Sequence, residues 1–242
     1  MIMERMEYDD VKYDGVLVCS LDKDLKYAKP QLDQFLKILL RTLSKIGVVT
    51  HSKGDVVTFR ISRGQGNHVE ATLKIENETL RFLFYNIKYF FPTVELICRW
   101  NEEAQKMFEE EGIYGLPGLK DRGIIENLLV NIEDSVVYEV DQYPTITKKA
   151  SHIWQKIARY QAFNNGNKRT ALKTMSMFLN SNFYELSFKK GEVGKDELYK
   201  FSKKIAAGEV NEDDIEQYIQ DHIYLNFGLM KEFFLEFIVD KR

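Results

Sequence analysis

Cysteine is nearly absent: 242 residues carry only Cys19 and Cys98. That count argues against a disulfide scaffold, and no Cys-x-x-Cys spacing points to zinc. An excess of basic charge is lacking too. The formal net charge is -3 and the pI is about 5.9. A whole-protein grip on nucleic acid needs a basic face, so nucleic acid is not the expected partner. No apolar run is long enough to cross a bilayer, and no membrane partner is expected. The first ten residues are acidic, where a secretory leader would carry a basic flank and an apolar core. Two thiols suit a reducing compartment, and the expectation is a cytoplasmic protein.

Aromatic side chains are plentiful. They make up 13% of the chain, beside 44% hydrophobic and 29% charged residues. Phe and Tyr bury large areas each, so this composition describes a well-filled core rather than a disordered chain.

The pattern along the chain changes once. From about Tyr13 to Tyr89 it is mixed. Gly15 to Leu21 is a short apolar strand candidate. A helix is expected after Pro30, with Leu32, Phe35, Leu36, Leu39, Leu40, Leu43 and Ile46 at helical spacing and Gly47 as its stop. Alternation then takes over. Val57, Phe59 and Ile61 face one way, and so do Val69, Ala71, Leu73 and Ile75. Leu80, Phe82 and Phe84 follow a second turn. This predicts an antiparallel meander with one covered face. Pro92 marks the boundary, because the residue before a proline is pushed out of the helical region. Beyond it helices repeat: Thr93 to about Glu111, Asp121 to Val130, Tyr143 to Tyr160, Asn167 to about Ser181, Asp196 to Ala207, and one capped by Asn211 with Asp214 three residues on. The organisation is read as an α+β unit over 1–91, a helical unit over 92–222 and an amphipathic helical extension over 223–242. The fold class is read as mainly α.

The segment from Gln161 to Ala171 carries the chemistry. A helix ends near Tyr160, a short polar turn follows, and a new helix opens near Asn167. Gly166 permits a backbone conformation that other residues resist. Open N–H groups at a helix start attract anions, and the helix dipole adds to this. Lys168 and Arg169 stand in the first turn, where the dipole disfavours cations unless an anion lies between them. That placement suggests a phosphate, gripped bidentately by arginine and as a point charge by lysine.

Phe163, Asn165, Gly166, Asn167, Lys168, Arg169, Thr170 and Ala171 resemble the Fic/Doc signature, His-x-Phe-x-(Asp/Glu/Asn)-(Gly/Ala)-Asn-(Gly/Lys)-Arg. The lysine before arginine is similar to the death-on-curing (Doc) branch. Gly115 to Leu129 resembles the family's upstream Gly-Leu-Pro-Gly segment, and Ala206 to Glu209 fits downstream. The likeness runs from about Pro92 to His222 and implies an all-helical Fic/Doc domain there.

By that resemblance the signature histidine is a general base that activates a hydroxyl of a target protein, and its position is taken by Gln161. Phe163 anchors the loop. Asn165 stands at the Mg²⁺ position as a weak, uncharged ligand. Gly166 and Asn167 offer backbone N–H groups, with the Asn167 side chain as a further contact. Lys168 and Arg169 neutralise phosphate charge. The cofactors implied are ATP and Mg²⁺. The activity implied is transfer of a phosphate, or alternatively AMP, to a protein hydroxyl. Elongation factor Tu is the family's example of a target, and an antitoxin is the family's usual partner. A glutamine cannot take the proton, so the chain is expected to be impaired. The alternative is a catalytically silent module that binds nucleotide or a partner. His152, nine residues before Gln161 on one helix, should face the opposite side, and His51, His68 and His222 lie elsewhere in the chain. Thr72 to Asn77 spells the family's inhibitory pattern, (Ser/Thr)-x-x-x-Glu-(Gly/Asn), but in a strand-like run.

Overall fold

The computed structural model describes residues 3–50, 54–64, 68–76, 78–106, 118–187 and 192–239. The chain divides into two compact units: Met1–Tyr89 with Tyr224–Arg242, and Phe90–Ile223.

The first unit opens with a hairpin, β1 (Met6–Tyr8) and β2 (Val11–Tyr13), turned by Asp9 and Asp10 at positive φ. β3 (Gly15–Cys19) leads to α1 (Leu25–Lys45). The helix starts before Pro30 rather than after it. The Asp24 side chain accepts a hydrogen bond from Lys26 N (2.9 Å) and caps the first turn. One proline near the start then forfeits a single backbone bond, which the cap and the buried stripe of Phe35, Ile38, Leu39 and Leu43 outweigh. Gly47, at φ 72, ends the helical run as the sequence predicts.

β4 (Val57–Arg63), β5 (Val69–Ile75) and β6 (Glu78–Asn86) form the antiparallel meander. The sheet has a fourth strand that alternation did not reveal. β3 lies parallel to β6, with Leu17 opposite Phe84, in the order β3-β6-β5-β4. β3 is buried along its whole length, so its residues read as a continuous apolar run with no period. Thr72 sits inside β5, which removes the helix that the inhibitory pattern would need; Asn77 lies outside the described residues.

The second unit holds α2 (Val94–Lys106), α3 (Arg122–Glu133), a hairpin of β7 (Val136–Val137) and β8 (Val140–Asp141), α4 (Ile146–Tyr160), α5 (Asn167–Ser181), β9 (Tyr184–Leu186), α6 (Glu192–Ala207) and α7 (Glu212–His222). The expected caps are present. Thr93 Oγ1 accepts from Leu96 N at 3.2 Å, and Asn211 and Asp214 form a reciprocal capping box. The expected extension of α2 to Glu111 falls outside the described residues past Lys106. α4 is the hub and packs on α3, α5, α6 and α7. Its Trp154 is fully buried, with its ring 5.5 Å from that of Phe201.

This unit is not all helical, and with two sheets in the first unit the chain is mixed α+β rather than mainly α. The β7–β8 turn is Tyr138-Glu139, both at positive φ. Such a turn ordinarily takes Asn-Gly or Asp-Gly, so its sequence gave no hairpin signal.

The backbone leaves the first unit before Pro92. Phe90 N donates to Asn182 Oδ1 (2.9 Å), Asn182 Nδ2 donates to Phe90 O (3.0 Å), and the Phe91 ring stacks on Phe178. At the far end β10 (Ile223–Leu225) straddles the division, followed by α8 (Phe227–Phe234) and a π-helical turn, Leu235–Val239. The aromatic tail belongs to the first unit. Phe234 is buried against Tyr8 and Tyr85, with ring centroids 5.3 and 5.7 Å away, and Leu225 N donates to Thr42 Oγ1 at 3.0 Å.

Candidate functional site

α4 ends at Gln161, an exposed residue with φ 50 and ψ 52. A left-handed conformation costs a non-glycine residue about 1 kcal/mol or more, so the surroundings must hold it. They do so through Ala162 and Phe163, which are 0% and 1% exposed. The segment after the upstream glycine-rich stretch runs alongside. Leu119 bridges Phe163 in antiparallel fashion. Lys120 N and Asp121 N both donate to Ala162 O, at 2.8 and 3.0 Å, and Asn164 N donates to Gly118 O at 3.0 Å. Asp121 then caps α3 by accepting from Gly123 N. Residues 115–117 of that stretch lie outside the described residues.

The turn itself is laced by neutral amides. Asn167 Oδ1 accepts from Phe163 N (2.9 Å) while its Nδ2 donates to Phe163 O (2.8 Å). One side chain thereby imitates a strand partner and closes the loop on itself. Asn165 Oδ1 accepts from Gly166 N at 2.6 Å. Asn101, wholly buried on α2, donates from Nδ2 to Asn165 O (3.0 Å) and Thr170 Oγ1 (2.7 Å), and accepts from Gln105 Nε2 at 2.9 Å. Thr170 Oγ1 donates to Gly166 O. Gly166 has φ 74, and a Cβ there would come within 3.2 Å of Gln105 Cγ. Both the conformation and the close approach call for glycine.

α5 opens on this turn without any side-chain cap. Glycine at the N-cap offers no side chain to the amides of that first turn, the end of a helix that attracts anions. Lys168 is exposed and Arg169 half-buried at the same place. The arrangement suits an anion.

Gln161, Phe163, Asn165, Gly166, Asn167, Lys168 and Arg169 thus lie in one turn between α4 and α5. Two of the expected contacts take another form. The Asn167 side chain spends both of its polar atoms on Phe163, and the Gly166 N–H is taken by Asn165. Asn165 also makes a poor Mg²⁺ ligand here. Its oxygen is neutral and already accepts a hydrogen bond, and among the described residues no cluster of three or more His, Cys, Asp or Glu could hold a metal.

The histidines are occupied elsewhere. His152 is buried, with Nδ1 3.0 Å from Glu212 Oε2, on the far side of α4. His68 meets Tyr13 in the first unit, and His222 Nδ1 donates to Tyr218 O; His51 lies outside the described residues. Sequence reasoning missed Asn101 and Gln105. The signal was a polar residue inside the apolar stripe of α2, between Ile97, Trp100 and Ala104, all of them buried.

The α4 scaffold is charged at its start. Burial alone would lower the Lys148 ammonium, but Asp213, Glu212 and Glu216 around it hold it above its usual value. Lys149 is shifted the other way. It is buried, donates to Ile132 O (2.6 Å) and Ser135 Oγ (3.1 Å), and burial pushes it down to about 8 against a weaker pull from Asp141.

Comparison with known proteins agrees on this region. Residues 91–179 match the Fic/DOC family model. Over 69 residues the chain is 35% identical to Toxin Doc of Mycolicibacterium smegmatis, a stretch that makes up 28% of this chain and 52% of that toxin. The chain spans about half the length of this curated relative.

Proposed function

We propose that this chain, which carries a Fic/DOC family domain in residues 91–179, is a Doc-like, toxin-type transferase whose chemistry is impaired at Gln161. The observation that carries the reading is the uncapped start of α5, with Gly166 before it and Lys168 and Arg169 in its first turn. The α5 amides and the two cations hold the phosphates of ATP, and Mg²⁺ would supply further neutralisation of phosphate charge. The target protein's hydroxyl oxygen attacks phosphorus. For phosphate transfer the bond to the ADP oxygen breaks; for AMP transfer the bond to pyrophosphate breaks. Phosphate is preferred because lysine stands at 168, as in the Doc branch. Either way the hydroxyl proton must leave, and Gln161 has no basic atom to take it. Losing a positioned base lowers rates by about a hundred- to ten-thousand-fold.

Residues 92–222 make up the transferase domain in this reading, residues 1–91 an accessory domain, and 223–242 an extension. The target is a cytoplasmic protein, with elongation factor Tu as the family's example, and an antitoxin restrains the active form. The test is Gln161→His. That variant transfers label from γ-labelled or α-labelled ATP to a cellular protein and raises toxicity on expression. Absence of transfer from both labels ends the reading.

Gln161 itself favours a second reading, a silent module that binds nucleotide or a partner. It predicts measurable ATP affinity in the chain as it stands, lost in Arg169→Ala, with no activity gained from histidine. Equal affinity in both forms removes the cradle from either reading.

A further inference from the structure

The sheet of the first unit has two unlike edges. β3 is buried along all five residues. β4, at the other end, is half-buried or exposed along all seven, and no described strand lies beyond it. A seven-residue strand with one unpaired side presents a row of N–H and C=O groups to any extended chain. The side chains along this edge are sorted by face. Val57, Phe59 and Ile61 continue the apolar face, and Ile61 is still 38% exposed, beside Val56 at 75% and Val69 at 36%. Thr58, Arg60 and Ser62 stand on the opposite face. There Arg60 is in register with Thr72 and Arg81, and Thr58 with Lys74. Arg60, Lys74 and Arg81 make that face cationic, while Arg63 ends the strand on the apolar face, in register with Val69. β4 contains no acidic residue.

We propose that β4 docks an extended segment of another protein in which acidic and apolar side chains alternate. Its backbone adds a fifth strand. Its apolar side chains cover Val57, Phe59 and Ile61, and its carboxylates lie on the face of Arg60 and Lys74. Charge decides against a second copy of this chain. The antiparallel register that uses all seven residues is centred on Arg60 and sets Arg60 against its own copy, an unfavourable cross-strand pair. The proposal is independent of nucleotide binding by the other unit.

Two seven-residue peptides serve as probes, one alternating glutamate and valine, the other lysine and valine. Each is titrated into the full chain and followed by amide NMR shifts and hydrogen exchange. The glutamate peptide protects amides of Val57–Arg63 and binds at least about tenfold more tightly than the lysine peptide at low salt. The double variant Arg60→Glu, Lys74→Glu reverses that preference and keeps its melting temperature. Equal binding of the two peptides, no protection on β4, or a concentration-dependent dimer protecting the same amides each overturns the proposal.

Discussion

The two units each hold a polar network, and they use charge in opposite ways. In the first unit Tyr13 donates to Glu70 Oε1 at 2.6 Å, its oxygen lies 2.8 Å from His68 Nε2, and Arg81 Nη2 donates to Glu70 Oε2 at 3.0 Å. Tyr13, His68 and Glu70 are buried, and the carboxylate is answered inside the protein. In the second unit the loop after α4 is fastened by neutral groups: Asn101, Gln105, Asn165, Asn167 and Thr170. Its cations contribute none of these bonds; Lys168 is exposed and Arg169 half-buried. A network that consumes its charges supports structure. A network of amides shapes the second loop, with cations beside it. Buried charge is costly unless paired, whereas amides can be satisfied in place.

That contrast can be broken by substitution, and the largest effect belongs to Glu70→Ala. Removing the carboxylate takes a partner from Arg81, His68 and the Tyr13 hydroxyl and should cost about 3 kcal/mol in chemical denaturation. A loss below about 1 kcal/mol would show that the cluster is not a structural pin. Its pH signature has a definite sign. Burial would raise the Glu70 carboxyl, but hydrogen bonds from Tyr13, Arg81 and His68 outweigh it and hold the group below its usual value. Its stabilisation is present above the unfolded value of 4.5 and fades as pH falls through the folded value. Glu70→Ala should flatten the acid limb.

Lys149 sharpens the comparison, because it is a buried charge that donates to two neutral oxygens. Its folded value of about 8 lies below the ordinary 10.5, so between the two the unfolded chain binds more protons. Stability should rise with pH across that window, by about 3 kcal/mol at most. Lys149→Met should abolish the slope. A slope that persists in that variant assigns it to another group.

Asn101→Ala comes next. It leaves Asn165 O, Thr170 and Gln105 without their shared partner and should cost about 2 kcal/mol in stability. It should also weaken ATP binding, and Asn101→Ala with normal ATP affinity would show that the loop keeps its shape unaided. The smallest stability effect belongs to Lys168→Ala, expected within about 0.5 kcal/mol because the side chain is exposed. Calorimetry with ATP should nonetheless show weaker binding. Loss of stability without loss of affinity would invert the comparison.

Much of the second unit was legible beforehand. The α5 boundaries, the Asn211 capping box and the Asp121 and Thr93 caps follow from local chemistry, in which a side chain answers a backbone group within three residues. The loop residues were legible for the same reason. The supports from Asn101 and from residues 118–121 were not, because they lie more than forty residues away along the chain.

By itself the sequence determined the spacing of apolar residues, the turn at Gly166, the clustering of Lys168 and Arg169, and the absence of a base at 161, because each is a property of adjacent residues. Only the tertiary structure decided that β3 joins the meander beside β6, that the aromatic tail belongs with the first 89 residues, and that Asn167 serves the loop instead of facing outward. The physical reason is partner choice. A hydrogen-bonding amide or an apolar face has many possible partners in a chain, and packing selects among them.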